Sequence, residues 1–236
     1  MKVLQATDVD KFQNWTAIIY SLPGIGKTSM VKSLTGRTVV FSADGMYQVL
    51  SGLPNVVIIP MSSGDPNDEL ANLYRWLASN INEFDNIVFD NMTTFTRIWL
   101  NSLGKSTTSG MPEQRDYGVI ARVLFDLIVS LKNLNKNLLI FAHEKTEEFT
   151  RVGGGVYTQF QPDIRNLNAI MGIVPLVGRL VITEDKDTKK KERIIVLQPT
   201  QHTRAKDQLI GNINTIGQME LLPLLQKQNK KEENAK

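Results

Sequence analysis

Ser21, Leu22, Pro23, Gly24, Ile25, Gly26, Lys27 and Thr28 follow the pattern G-x-x-x-x-G-K-[ST], with serine in place of its first glycine. In that pattern glycines let successive backbone N–H groups turn inward around phosphate oxygens, the lysine reaches the β and γ phosphates, and the hydroxyl sits on Mg²⁺. Lys27 and Thr28 are the residues for the last two tasks, and Ser29 continues the segment behind them. The departure at Ser21 falls at the exit of an apolar run, where a small residue is needed and a positive φ is less clearly required. Ser21 to Ser29, without Leu22, is thus the candidate set for a nucleoside triphosphate, ATP, with Mg²⁺.

A second carboxylate signal accompanies the loop. Ile87, Val88 and Phe89 lead into Asp90, an apolar strand whose acid tip lies where it can hold Mg²⁺, often through water. Thr28 and Asp90 are the candidate metal ligands. Many motor ATPases place a glutamate directly after that aspartate to orient the attacking water, but here the position is Asn91. Water activation then falls to another group, or hydrolysis is slow. Asp44 is the substitute, at the C-terminal edge of the run at 38–42 and so beside the crevice where such sheets bind ligands; its competing role is to cap the segment at 45–50. His143 ends another apolar run, Leu138 to Ala142, and as a neutral imidazole it can sense the γ-phosphate by hydrogen bonding.

These residues need a scaffold of short buried strands. Apolar runs at 15–20, 38–42, 55–60, 86–90 and 137–142 read as strands, and 27–34, 46–50, 67–82, 92–103 and 113–135 as helices. With the phosphate loop, the alternation predicts an α/β fold, a doubly wound P-loop NTPase core with a mainly parallel sheet covered by helices on both faces. The spacing from Lys27 to Asp90 suits a sheet with another strand inserted between the two motifs. The core occupies about 10–143. Beyond it, 144–161 carries charges and Gly153, Gly154 and Gly155, and reads as a mobile loop or a loosely held hairpin. A short helix at 163–171 and an antiparallel hairpin of 176–183 with 193–198 extend the sheet. A single domain over 1–225 is expected, with a terminal element at 219–225 interrupted by Pro223 and a disordered polar tail at 226–236.

Composition narrows the functional classes. At 236 residues the chain suits one α/β domain with small additions, and 42% hydrophobic with 22% charged residues are ordinary globular values. No run approaches the roughly 18 apolar residues of a membrane span, and 1–10 lacks the apolar centre of a signal peptide, so a cytoplasmic protein is expected. The absence of cysteine excludes disulfides and thiolate chemistry, and His143 and His202 are too few for a histidine-rich metal site. The net charge is +3, with Lys186, Lys189, Lys190, Lys191 and Arg193 in one cluster and Lys227, Lys230, Lys231 and Lys236 in another. Each cluster taken alone reads as a solvated turn or terminus rather than a nucleic-acid surface.

The order of phosphate loop, Asp44, Ile87 to Asn91, Arg115 to Gly118 before a long helix, Phe141 to His143 and Thr203 to Asp207 resembles the phage-encoded RecA-like ATPases of the Sak group over about 14–210. The resemblance implies an ATPase that binds single-stranded DNA and assists annealing or homologous recombination in the cytoplasm of a host cell. It implies nucleotide contacts from Gly24, Gly26, Lys27 and Thr28, metal coordination by Thr28 and Asp90, water activation near Asp44 and sensing by His143. It also implies a homo-oligomer, ring or filament, in which a neighbour's basic residue completes the site. Arg204 and Lys206 are the candidates; Gln208 departs from the family, which tends to be basic there. DNA contacts are expected from 104–114, with Lys105, and from 144–161, with Lys145, Arg151 and Tyr157, where Glu144, Glu147 and Glu148 work against them. A single-strand-binding protein is a further expected partner. The alternative is a P-loop ATPase that loads or remodels a replication or packaging protein; a small-molecule kinase has less support because no arginine-rich lid is evident.

Overall fold

The computed structural model of the chain describes residue 5 and residues 14–61, 65–151, 153–184 and 189–233, and the N-terminal segment 1–10, apart from residue 5, lies outside them. In the described residues ten strands share one sheet. They are β1 (Thr16–Ser21), β2 (Thr38–Ser42), β3 (Val56–Pro60), β4 (Asn86–Asp90), β5 (Asn137–Thr150), β6 (Val156–Pro162), β7 (Leu176–Glu184), β8 (Lys191–Val196), β9 (Lys206–Asp207) and β10 (Thr215–Gly217). Their order is β10-β8-β7-β1-β5-β4-β2-β3, with β6 on β5 and β9 on β7. From β3 to β7 every neighbouring pair along that path is parallel, and β8 and β10 extend the edge antiparallel. β5 lies between the strand that delivers the phosphate loop and the strand that ends in Asp90, the inserted strand that the spacing predicts.

Every residue of β1, β2 and β4 is buried, which is why these strands read as continuous apolar runs rather than alternating ones. Alternate side chains go to opposite faces. Ile18, Tyr20, Phe41, Phe89 and Ile140 pack with α1 (Pro66–Asn80), α2 (Met92–Lys105), α3 (Gln114–Lys132) and α4 (Leu167–Ile173) on one side. Ala17, Ile19, Val40, Val88 and Phe141 pack on the other with Met30 and Val31 and with Leu221, Leu222 and Leu225 of α5 (Leu221–Glu233). Helices therefore cover both faces, as expected. The helix starts are built from side-chain caps: Asp65 accepts from the Asn67 N–H, Asn91 from the Thr94 N–H, and Asp116 from the Glu113 N–H. At Gly178 in β7 a Cβ would lie 2.6 Å from Ile195 Cγ2 and 3.1 Å from Ile19 Cδ1, so only glycine lets β8 and the β1 side chains meet over it.

Two expectations about the elements are corrected and one pair of alternatives is decided. The segments at 27–34 and 46–50 are not α-helices: the first is a 3-10 helix at Thr28–Ser33 and the second a 3-10 turn at Gln48–Leu50. Thr28, Ser29 and Ser33 are weak helix formers, and the Ser33 hydroxyl donates to the Met30 carbonyl, competing with the helical ladder. Of the two readings of 144–161, the hairpin holds and the mobile loop does not. β5 runs on past His143 to Thr150 and pairs antiparallel with β6 from Glu144 opposite Pro162 to Thr150 opposite Val156. The polar tail does not begin at Gln226: α5 continues to Glu233, with Pro223 in its first turn, where a missing N–H costs nothing. Residues 234–236 lie outside the described set.

Candidate functional site

β1 ends at Ser21 and hands the chain to the phosphate loop. Gly24 and Gly26 have φ of +78° and +109°, conformations that side chains rarely adopt and that let adjacent N–H groups converge on an anion. Ser21 is fully buried in β1, and it is an active part of the loop. Its Oγ accepts from Lys27 Nζ at 3.0 Å, its carbonyl accepts at 3.2 Å, and the Leu22 carbonyl accepts at 3.2 Å. The Lys27 ammonium is thus fully hydrogen-bonded by the loop it belongs to. Burial pushes its pKa down to about 8, opposed by the charges of Asp90, Asp44 and Glu144. Pro23 precedes Gly24, Ile25 lies between the two glycines, and Ser29 stands in the first turn of the 3-10 helix.

Thr28 meets the acid directly. Its hydroxyl donates to Asp90 Oδ2 at 2.6 Å. Asp90 is buried at the end of β4, opposite Ser42 in the β2–β4 register. The Ser42 hydroxyl is buried without a hydrogen-bond partner. Hydroxyl and carboxylate oxygens, with an unsatisfied buried hydroxyl in register beside them, fit a hard cation with bound water.

Burial raises the Asp90 pKa from 3.8 to about 6, and Asp44 adds to the rise, while the Thr28 bond and Lys27 oppose it. The native carboxyl holds its proton more tightly than the unfolded one. Stability therefore falls as pH rises through the window from 3.8 to about 6. Asp90→Asn, without metal or nucleotide, is expected to be more stable than the parent by on the order of 3 kcal/mol at pH 7.5. The difference should vanish near pH 4. Urea denaturation at the two pH values checks this, and a difference independent of pH would refute it.

The other strand tips converge through one amide. Asn91 Nδ2 donates to Asp44 Oδ2 at 2.7 Å and lies 3.3 Å from His143 Nε2, while its Oδ1 accepts the Thr94 N–H and caps α2. With its second hydrogen directed at Nε2, the amide needs a ring lone pair there, so the imidazole carries its proton on Nδ1. Burial first, then Lys27 and Arg97, lowers the His143 pKa, which favours that neutral form. Asp44 has a second bond, from the Met46 N–H to Oδ1 at 3.0 Å, so the turn-capping role and the place beside Asn91 coexist. The His143 backbone is pinned as well. Its N–H donates to Thr93 Oγ1 and its carbonyl accepts the Asp163 N–H.

Lys27, Thr28, Asp90, Asn91, Asp44 and His143 are therefore neighbours: Thr28 bonds Asp90, Asn91 reaches Asp44 and His143, and Lys27 lies within the field of Asp90 and Asp44. Arg204 and Lys206 do not join them. The Arg204 guanidinium donates to Gln161 Oε1 and Asn168 Oδ1, and Lys206 Nζ donates to the Met171 carbonyl. The cation that does touch the phosphate loop is Arg193 of β8, whose Nε donates to the Ile25 carbonyl at 2.9 Å. Beside it, Gln218 Nε2 donates to the Gly26 carbonyl at 2.6 Å. Sequence reasoning placed Arg193 only in a basic cluster and missed Gln218 altogether. Of that cluster, Lys186 lies outside the described residues, while Lys189 and Lys190 pair with Glu184 and Glu192.

Below His143, Glu144 and Arg179 form a buried ion pair at 2.6 Å, with the Arg179 guanidinium over the Phe160 ring. The Tyr20 hydroxyl, whose pKa burial raises, lies within bonding distance of the Phe160 and Arg204 carbonyls. Further out on the β5–β6 hairpin, Phe149 stacks on Tyr157 at 5.6 Å, His202 meets the Tyr157 edge, and Arg151 lies over the Tyr157 ring. Among the described residues, no helix is long and apolar enough to cross a membrane.

A family model described as an AAA domain matches residues 13–209. No curated protein matches the chain. The match spans most of the 236 residues, and the chain belongs to the AAA domain family of nucleotide-binding P-loop ATPases.

Proposed function

From that membership, we propose that the chain is a Mg²⁺-dependent ATPase that binds single-stranded DNA and assists annealing or homologous recombination, as its resemblance to the phage Sak group implies. The observation that carries the reading is the continuity of β5. One strand brings His143 to the Asn91 amide and then, without a break, becomes the hairpin with Phe149, Arg151 and Tyr157.

In this reading the N–H groups around Gly24 and Gly26 cup the phosphates and Lys27 exchanges its loop acceptors for phosphate oxygens. Thr28 and Asp90 would hold Mg²⁺, which when bound would neutralise charge on the phosphate oxygens. Asp44, fixed by Asn91, orients the attacking water and accepts its hydrogen bond. His143 offers its Nε2 lone pair to the Asn91 amide, so a change in that amide reaches β5. Arg204 and Lys206 act in a neighbouring subunit of a homo-oligomer, after release from their bonds to Gln161, Asn168 and Met171.

The hairpin acids oppose DNA less than their number suggests. Glu144 is buried against Arg179, Glu147 accepts from Gln161, and Glu148 is paired opposite Thr158 on the face away from Phe149 and Tyr157. The stacked rings and Arg151 then present a sequence-tolerant surface for bases and backbone. Fluorescence anisotropy with labelled single-stranded DNA tests this. Binding that requires ATP and weakens by at least about tenfold between 50 and 200 mM salt is expected. ATP-bound protein that fails to bind at 50 mM salt would overturn it and favour a chain that loads or remodels a replication or packaging protein.

A further inference from the structure

Resting on the reading of the phosphate loop as a nucleotide site, we infer that Arg193 and Gln218 are positioning residues that hold the loop in its anion-binding shape from behind. In a trans peptide unit the carbonyl and the N–H point in opposite directions. The Ile25 carbonyl shares its unit with the Gly26 N–H, and the Gly26 carbonyl shares its unit with the Lys27 N–H. Arg193 takes the first carbonyl and Gln218 the second. Each bond therefore fixes the direction of an N–H on the far side of the unit, and those two N–H groups belong to the set that cups a phosphate in this pattern.

The two donors arrive together because of strand register. β10 pairs with β8 so that Gly217 lies opposite Ile194, and the Gln218 N–H donates to the Arg193 carbonyl at 3.0 Å. Residues opposite each other across a ladder project on one face, so one cross-strand pair reaches two successive carbonyls. The Gln218 amide has one workable orientation, since reversing it sets Oε1 against the Gly26 carbonyl oxygen. The contact is close: a Cβ on Gly26 would lie 2.9 Å from Gln218 Nε2 and 3.5 Å from Arg193 Nε.

The same C-terminal segment fastens the other end of the element behind the loop. Gln226 of α5 accepts from the Thr35 N–H at 2.9 Å and donates to the Thr35 carbonyl at 2.9 Å and to Asn86 Oδ1 at 3.1 Å. The 3-10 helix at Thr28–Ser33 is six residues long, and 3-10 ladders have poorer hydrogen-bond geometry than α-helical ones. Its geometry is held by neighbours that come after residue 190 in the chain.

The test uses the full chain, a non-hydrolysable ATP analogue with Mg²⁺, and steady-state hydrolysis of ATP. Gln218→Leu removes the donor at nearly constant shape, and Arg193→Ala removes the other from an exposed position on a strand. Each is expected to raise the analogue Kd and the KM for ATP about tenfold, with kcat at saturating ATP within about twofold of the parent, because the loss is in binding shared by ground and transition states. Arg193→Gln separates donation from charge: it keeps a donor without a cation, and recovery of most of the affinity is expected. Affinity that stays as weak as in Arg193→Ala would mean that Arg193 acts by charge and would overturn its place in the clamp. Gln218→Leu and Arg193→Ala both within twofold of the parent Kd, while the parent binds the analogue, would overturn the clamp and leave the nucleotide site standing. A parent chain that binds no analogue would overturn both.

Discussion

Lys27→Ala is expected to abolish nucleotide binding. The ammonium now satisfies Ser21 Oγ and the carbonyls of Ser21 and Leu22, and a phosphate replaces those neutral acceptors with charged ones. Hydrogen bonds to charged groups contribute about 1.5–3 kcal/mol each. Two of them lost between the β and γ phosphates weaken binding by roughly 10²–10⁴-fold. The depressed Lys27 pKa of about 8 sharpens the expectation. A native pKa below the unfolded one means that the charged lysine costs stability at neutral pH, with stability rising as pH climbs from about 8 toward 10.5. A bound phosphate restores the charge's compensation. Calorimetric titration with the ATP analogue, beside a circular dichroism melt to confirm folding, checks this; a folded variant that still binds or hydrolyses ATP would sink the ATPase mechanism proposed for this loop.

Asp44→Asn should separate turnover from affinity. The asparagine keeps an oxygen for the Met46 N–H, so the turn it caps survives. What is lost is the carboxylate that Asn91 holds at 2.7 Å. Turnover at saturating ATP is expected to fall about 10²-fold or more, the usual contribution of a positioned general base, with nucleotide Kd within about threefold of the parent. Single-turnover hydrolysis measured beside equilibrium binding decides it. An unchanged rate would return Asp44 to capping alone.

The central sheet was legible because buried parallel strands leave a local signature. β2 and β4 lie at the residues where their apolar runs begin and end, and both end in polar residues at the ligand-binding edge. β5 beyond His143 was legible only as one of two readings, loop or hairpin, for the opposite reason. Glu144 to Thr150 is held by pairing with β6 and by the buried Glu144–Arg179 pair, neither of which produces an apolar run. The α-helix expected after the loop is a 3-10 helix, because Thr28, Ser29 and Ser33 are weak helix formers and the Ser33 hydroxyl donates to the Met30 carbonyl, which an apolar pattern does not reveal.

Within the site, types and spacing pointed to Lys27, Thr28, Asp90, Asp44 and His143, but not to the amide that joins the last two. Asn91 registered as a missing glutamate rather than as a group with hydrogens for two partners. An Asn placed between an apolar strand and a helical run is an N-cap pattern, and it was the one local hint that this side chain is fixed in space. Arg193 and Gln218 lie 168 and 192 residues along the chain from the carbonyls they bond. No local pattern connects residues that only sheet order brings together.

The unbroken run of β5 has a mechanical meaning. From His143 to Thr150 it is a stiff arm of about 23 Å at ordinary strand rise, braced by the ladder to β6. Its fulcrum is clamped by the Glu144–Arg179 pair and the Asp163-to-His143 backbone bond. A tilt of about 5° at such a fulcrum sweeps the far end through about 2 Å at that arm length. Under the proposed mechanism, a rotation of that size at His143 arrives at the hairpin tip as a displacement comparable to a side-chain contact.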